Sequence, residues 1–381
     1  MKIVSRKKLG DLLEEYKDKN TGNKYKPVAV GRYGIRKRED IYSKELAKDY
    51  SKNKIIYKHT LTVGMGSKQI DIGILTEDVI YAVSPAYHTF KISNINSNYL
   101  RYCLEARNAD MSERFMIASA RQGKSVDFKK MLKYEIPIYS EADTNSILYN
   151  LGLIEDIILN LDNQIERMDL LLKSRFIEMF GDPVENEMGW NTLPLEKACE
   201  QIVDCPHSTP KYTEENTGYM CIRTSIVKRG SIMWDEIEYI SKDEYEQRIR
   251  RKKPQKDDIV YTREGGILGI AAIIDRECDV ALGQRSMLLS PDKEKCLPEY
   301  LCTTMNMESF FNKMTEGVIG SAAPHINVGD IKAFNIMLPP VDAQKEFIFF
   351  QKQIDKSKMA LQEMKAKMEI LKASVMQKYF C

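Results

Sequence analysis

Tyr134-Glu-Ile-Pro-Ile138 leads into a long helical pattern that closes on Phe176-Ile-Glu-Met-Phe180, and Phe334-Asn-Ile-Met-Leu338 leads into a second that closes on Met376-Gln-Lys-Tyr-Phe380. Residues 131–180 and 331–380 align without a gap at a displacement of 200. Seven positions are identical (Ile136/Ile336, Ile154/Ile354, Leu161/Leu361, Met168/Met368, Leu171/Leu371, Ser174/Ser374, Phe180/Phe380), where unrelated sequences of ordinary composition would share roughly three. Most of them fall on one helical stripe, so the face is repeated as well as the letters.

The first helix is expected from about Glu141 to Phe180, with Gly181 as its C-terminal cap and Pro183 preventing continuation. Its apolar residues Ile154, Ile158, Leu161, Ile165, Met168 and Leu172 alternate four and three apart, the spacing of a seam for a partner helix. In the second copy Ile354, Leu361, Met364, Met368, Leu371 and Val375 keep the common stripe, while Lys358, Lys365 and Lys372 replace flanking apolar residues. The first helical stretch carries 3 basic against 8 acidic residues, and residues 341–381 carry 8 against 5. Two long helices with matching stripes and opposite charge are expected to pair antiparallel within the chain, with Ile154, Leu161, Met168 and Leu171 meeting Ile354, Leu361, Met368 and Leu371.

Outward from the repeat, both remaining segments read as mainly β. Lys54-Ile-Ile-Tyr57, Leu61-Thr-Val63, Ile70-Asp-Ile-Gly-Ile-Leu75 and Val79-Ile-Tyr-Ala-Val83 are short strand-like runs separated by turn residues. Helices are expected around Asn98 to Ala106 and again around Ser112 to Ala120. The segment from 190 to 340 repeats this order: Asp258-Ile-Val-Tyr-Thr262 matches Lys54-Ile-Ile-Tyr57, Pro298-Glu-Tyr-Leu301 matches Ser97-Asn-Tyr-Leu100, and Gly320-Ser-Ala-Ala-Pro-His-Ile326 takes the place of Arg121-Gln-Gly-Lys-Ser125. The expected class is therefore α+β: two β-rich domains with short helices, joined by two long antiparallel coiled-coil helices in a pseudo-two-fold internal repeat. The expected boundaries are 1–140, 141–182, 183–340 and 341–381.

Charge is divided unevenly. Residues 1–140 hold 27 basic against 16 acidic side chains, and 181–340 hold 19 against 26. The first is a phosphate-binding footprint, while the second needs a local basic patch for the same work. Eight cysteines form no CxxC pair and four histidines lack metal-ligand spacing, so neither a disulfide framework nor a metal site is expected. No apolar run reaches the length of a membrane helix, and the basic start leads into an amphipathic segment, so a cytoplasmic protein is expected. No Walker A loop, GxSxG or Asn/Asp-Pro-Pro-aromatic tetrapeptide occurs; the chain reads as noncatalytic.

Candidate DNA-contacting residues lie where basic, amide and aromatic side chains flank strands. In the first half they are Arg32, Tyr33, Arg36 and Lys37 in a glycine-interleaved basic stretch, then Lys58, Arg121 and Lys124. In the second half they are Lys211, Tyr212, Arg223, Thr224, Lys228, Arg263, Gln284, Arg285 and His325. Arginine, lysine and glutamine suit base edges, and hydroxyls suit phosphates; for each single residue the alternative is a structural ion pair or a solvated side chain. The run Arg248-Ile-Arg-Arg-Lys-Lys253 either tracks phosphates or is a solvated helix end before Pro254.

Phe176-Ile-Glu-Met-Phe-Gly-Asp-Pro183 with Gly189-Trp190, Pro206-His-Ser-Thr-Pro-Lys-Tyr212 with Ile222-Arg-Thr-Ser225, and Ile336-Met-Leu-Pro-Pro340 resemble stretches of the specificity (S) subunits of type I restriction-modification systems. The resemblance covers essentially the whole chain, although Ile136-Pro-Ile-Tyr139 lacks the second proline of the usual strand exit. It implies two target-recognition domains, 1–140 and 183–340, that read a split site in double-stranded DNA, and paired helices that set their separation. It implies two methyltransferase subunits as partners and, where a nuclease accompanies the system, motor-nuclease subunits. S-adenosylmethionine, ATP and magnesium would then belong to those partners, with no cofactor in this chain. The alternative is a protein-interaction scaffold that keeps the helices without specific DNA readout.

Overall fold

The structure is a computed structural model that describes residues 1–31, 34–41, 47–66, 68–119, 123–318 and 324–381. It divides into two compact units, Met1–Asn163 with Gln362–Cys381, and Gln164–Leu361. Each unit takes one half of each long helix, Glu141–Phe180 and Val341–Phe380. Gly181, at φ +77°, donates its N–H to the Ile177 carbonyl at 2.8 Å; this left-handed residue ends the first helix.

In the first unit, Ile3–Lys8 pairs antiparallel with Glu135–Tyr139. A four-stranded antiparallel sheet follows in the order Leu13–Tyr16, His88–Ile92, Thr60–Met65, Ile70–Leu75. Ribbons Val28–Gly31 with Gly34–Lys37, and Lys54–Ile56 with Tyr81–Val83, extend from it. One helix, Ser97–Phe115, covers the sheet, opened by Asn96, whose side chain accepts from the Asn98 and Tyr99 amides.

The sequence reading had divided this helix in two; instead it continues through Asn108 and Asp110, and Met116–Ser119 forms a β-ribbon with Gly123–Val126. Two polar side chains tie the helix down. Ser112 Oγ accepts from the Ile70 amide at 2.9 Å and Asn108 Nδ2 donates to the Ile70 carbonyl at 3.1 Å.

The second unit repeats the plan. Thr192–Pro194 pairs with Asn335–Met337, and an antiparallel sheet runs in the order Cys199–Asp204, Ser286–Pro291, Ile259–Thr262, Ala271–Ile273. Ile259–Thr262 thus holds the place of Thr60–Met65. The expected match to Lys54–Ile56 is corrected, because that strand leaves the main sheet for its own ribbon. A second sheet is added here, in the order Tyr212–Thr213, Glu238–Ile240, Met220–Ile222, Val280–Leu282, with its last pair parallel.

Both cores are built on a buried tyrosine where the long helices end. In the first unit Tyr99 donates to the Pro137 carbonyl at 2.8 Å and meets Phe380 edge-on at 5.3 Å, with Ile147, Leu151 and Met376 in the same core. In the second, Tyr300 donates to the Met337 carbonyl at 3.2 Å and packs with Phe176, Phe180 and Phe347. Fully burying side chains of this size contributes roughly 1.5–3 kcal/mol each, so the 200-residue repeat is one core recipe used twice.

Within each unit the helix halves pack antiparallel. Lys372 bonds Glu155 at 2.9 Å and Lys365 bonds Asp162 at 2.7 Å in the first, and Lys358 bonds Asp169 at 2.5 Å in the second. The lysines that departed from the apolar repeat are therefore cross-helix ion-pair partners. Ile154, Leu161 and Ile354 are buried, and Met168, Leu361 and Met368 half-buried. Leu171 and Leu371, expected in the seam, are 47% and 44% exposed. Strict heptad spacing from Met168 selects Leu172, which is half-buried, and turns its neighbour outward.

Candidate nucleic-acid interface

In the second unit, strand ends gather the candidates at one end of the two sheets. The pairing Cys221↔Glu238 and Tyr212↔Ile240 puts Tyr212 and Glu238 on one sheet face, since residues two apart share a side. Arg223 follows two residues after Cys221 and its Nη1 lies 2.7 Å from Glu238 Oε1. Burial, chiefly, pushes the Tyr212 hydroxyl up to about 12, with Cys221 and Glu238 acting in the same direction.

The 283–286 turn closes over this edge. Gly283 donates its N–H to the Ile222 carbonyl at 2.8 Å, and a Cβ there would stand 3.0 Å from the same oxygen, so the close approach requires glycine. Gln284 accepts from Thr209 at 3.1 Å. Arg285 adopts φ +72° and is exposed. Beside it the Arg263 amide donates to the Arg285 carbonyl and the Ile326 amide to the Arg263 carbonyl, which brings exposed His325 to the same place.

Arg263 itself faces inward. Its side chain is 6% exposed and grips Asp204 through two bonds, Nε to Oδ1 at 2.9 Å and Nη2 to Oδ2 at 3.1 Å, with Glu264 2.5 Å from Nη1. Arg248 is likewise buried, donating to Glu244, the Ser208 carbonyl and the Leu282 carbonyl. These two arginines hold the loops 204–209, 262–265 and 282–286 together. Three more residues of the run are also engaged: Arg251 donates to the Asp204 carbonyl, Lys252 lies 3.5 Å from Asp258 and Lys253 2.7 Å from Asp279. Lys211 is exposed, Thr224 half-buried at the start of a short helical turn, and Lys228 donates to the Ser225 carbonyl at 3.1 Å on a separate ribbon.

In the first unit, Arg36 and Lys37 lie on the exposed end of the Gly34–Lys37 strand, and Lys124 on the Gly123–Val126 strand. Residues of both ribbons, Val30 and Ser125 among them, line one cleft of about 520 Å³ with Arg38, Asp71, Tyr87 and His88. Gly64 forms its floor, where a Cβ would fall 2.0 Å from the Tyr87 ring. Burial raises the Asp71 carboxyl above its ordinary range. Exposed Lys58 belongs elsewhere, in the turn before Thr60, at the other end of the sheet from Met65 and Ile70. Arg32, Tyr33 and Arg121 lie outside the described residues.

Sequence reasoning missed Asp204 and Glu238. Acidic residues carry no DNA-binding signal by type, and Arg223 finds Glu238 only through strand pairing. Among the described residues no group of three or more His, Cys, Asp or Glu side chains could hold a metal ion, and no helix is long and apolar enough to cross a membrane. The cysteines are free, and burial pushes the thiols of Cys103, Cys199, Cys221 and Cys302 up to about 12, which keeps them protonated and unreactive.

The family described as Type I restriction modification DNA specificity domain matches residues 190–372. A solved structure reported as the basis of complex assembly and conformational transition of the type I R-M system covers 100% of this chain and 99% of its own, at 14% identity and a TM-score of 0.56. The type I restriction-modification S subunit from M. genitalium covers 99% and 96% (12% identity, TM-score 0.49), and the HsdS subunit from Thermoanaerobacter tengcongensis 99% and 96% (17% identity, TM-score 0.40). No curated protein sequence matches significantly. Residues 190–372 thus match the type I restriction-modification specificity family, whose S subunits are noncatalytic, and the whole chain shares the fold of the structure matched at a TM-score of 0.56.

Proposed function

We propose that this chain chooses the DNA sequence for a type I restriction-modification complex, reading a two-part site with recognition domains at 1–140 and 183–340 and holding two methyltransferase subunits on its long helices. The observation that carries this reading is the convergence of Lys211, Tyr212, Arg223, Gln284, Arg285 and His325 on one end of the second unit, around the buried Arg263–Asp204 pair. Donors, an amide and an aromatic ring on a braced surface are what major-groove readout uses. In the first unit Arg36, Lys37 and Lys124 border the cleft at the corresponding end of the sheet and would supply phosphate contacts.

Docking is supported by apolar side chains that the helix pairing leaves exposed, including Tyr149, Leu159, Ile370, Leu170, Phe349 and Met359. Large apolar side chains left facing solvent along a helix pair suit a protein partner. S-adenosylmethionine belongs with the methyltransferase subunits, and ATP and magnesium with any motor-nuclease subunits. The test is selection of duplexes from a random pool by the full chain assembled with a methyltransferase subunit. A discontinuous motif is expected; enrichment of no motif would leave a scaffold without readout.

A further inference from the structure

Two arginine–carboxylate pairs stand at the recognition end of the second unit, and they are built differently. Arg263 and Asp204 are closed by two parallel bonds, and Glu264 takes a third nitrogen. Arg223 and Glu238 share a single contact, Nη1 to Oε1 at 2.7 Å. Arg223 Nε and Glu238 Oε2 are each buried with no hydrogen-bond partner among the described residues. A charged group left unmet costs more than a completed pair gains, so an ion pair serving the fold alone would be closed, as Arg263–Asp204 is. The side chains also remain 40% and 31% exposed, on the sheet face that carries Tyr212.

Turned outward from this half-exposed position, an open pair of this kind presents two adjacent donors from the guanidinium and an acceptor from the carboxylate. A phosphate is a poor match, because Glu238 repels it. Of the base-pair edges in the major groove, G·C presents the complement, with acceptors at guanine N7 and O6 and then the cytosine amino donor, whereas A·T places its donor between two acceptors. Building on the DNA-reading role proposed above, we infer that Arg223 and Glu238 together read one G·C base pair of the half-site met by the second unit, Arg223 donating to guanine and Glu238 accepting from cytosine N4. Glu238 then does more than orient the arginine: it rejects the thymine O4 of an A·T pair at the same position.

Random-pool selection by the full chain assembled with a methyltransferase subunit, repeated with Arg223→Gln, Arg223→Lys and Glu238→Gln, tests this. Arg223→Gln is expected to lower preference for G·C at one position of one half-site by about five- to 140-fold, moving it toward A·T, while every other position is kept. Glu238→Gln should relax the same position and no other. Arg223→Lys keeps the charge and supplies the readout if the glutamine variant does not fold. Unchanged preference in folded variants, or a uniform loss at all positions, would overturn the inference while leaving the two-part motif of the unsubstituted complex standing. An unsubstituted complex that selects no two-part motif removes the reading role and this inference with it.

Discussion

Lys365 Nζ lies 2.7 Å from Asp162 Oδ1 across the antiparallel helix pair, and Lys372 meets Glu155 one heptad away on both helices. In the repeat these lysines replace apolar residues, Ile165 and Leu172 in the first copy, so the two copies are made complementary instead of interchangeable. Lys365→Glu places like charges opposite one another and is expected to destabilise the first unit by on the order of 1 kcal/mol, the scale of partly exposed pairs. Adding Asp162→Lys should restore most of the loss. Urea denaturation of the single and double variants gives the coupling; additive losses would show that the pair does not set the register.

Arg263 and Arg285 are adjacent in space and opposite in expected effect. Arg263→Ala leaves Asp204 without its two bonds and is expected to cost about 3–5 kcal/mol, seen as a lowered denaturation midpoint. Arg285→Ala removes an exposed side chain and should change stability by less than about 0.5 kcal/mol while weakening DNA binding by the full complex. A stable Arg263→Ala protein would mean that the Arg263–Asp204 pair does not brace these loops.

Burial alone would raise the Glu155 carboxyl, but hydrogen bonds from Arg101, Tyr102 and Lys372 outweigh it and bring the group down to about 2. A folded-state value below the unfolded one contributes stability that is fully present above about 4.5 and lost as pH falls toward 2. The stability difference between the unsubstituted chain and Glu155→Gln should therefore shrink between pH 5 and 2 (roughly the range over which such a carboxylate is titrated). Chemical denaturation across that range checks it, and a difference independent of pH would contradict the account.

The long helices were legible because heptad spacing is local: Ile154, Leu161 and Ile354 are buried where the pattern put them. Leu171 and Leu371 misled because identity between copies marks shared constraint without saying which face bears it. In the recognition end, residue type pointed to Arg223, Arg263 and Arg285 alike. Only tertiary pairing separates them, because Asp204 lies 59 positions from Arg263 and Glu238 lies 15 from Arg223, distances over which sequence pattern carries no signal. Arg263 thus changes from a proposed contact to a brace, and Glu238 enters the site with no forewarning.

The ruler role proposed for the helices can be measured directly. One heptad inserted at matching positions in both long helices keeps the Lys–Asp ladder in phase and lengthens the pair by roughly 10 Å, about three base pairs at ~3.4 Å each. Duplexes selected by the full chain assembled with a methyltransferase subunit should then show both half-sites unchanged and a spacer longer by about three base pairs. A spacer of unaltered length, with both half-sites still read, would contradict the account.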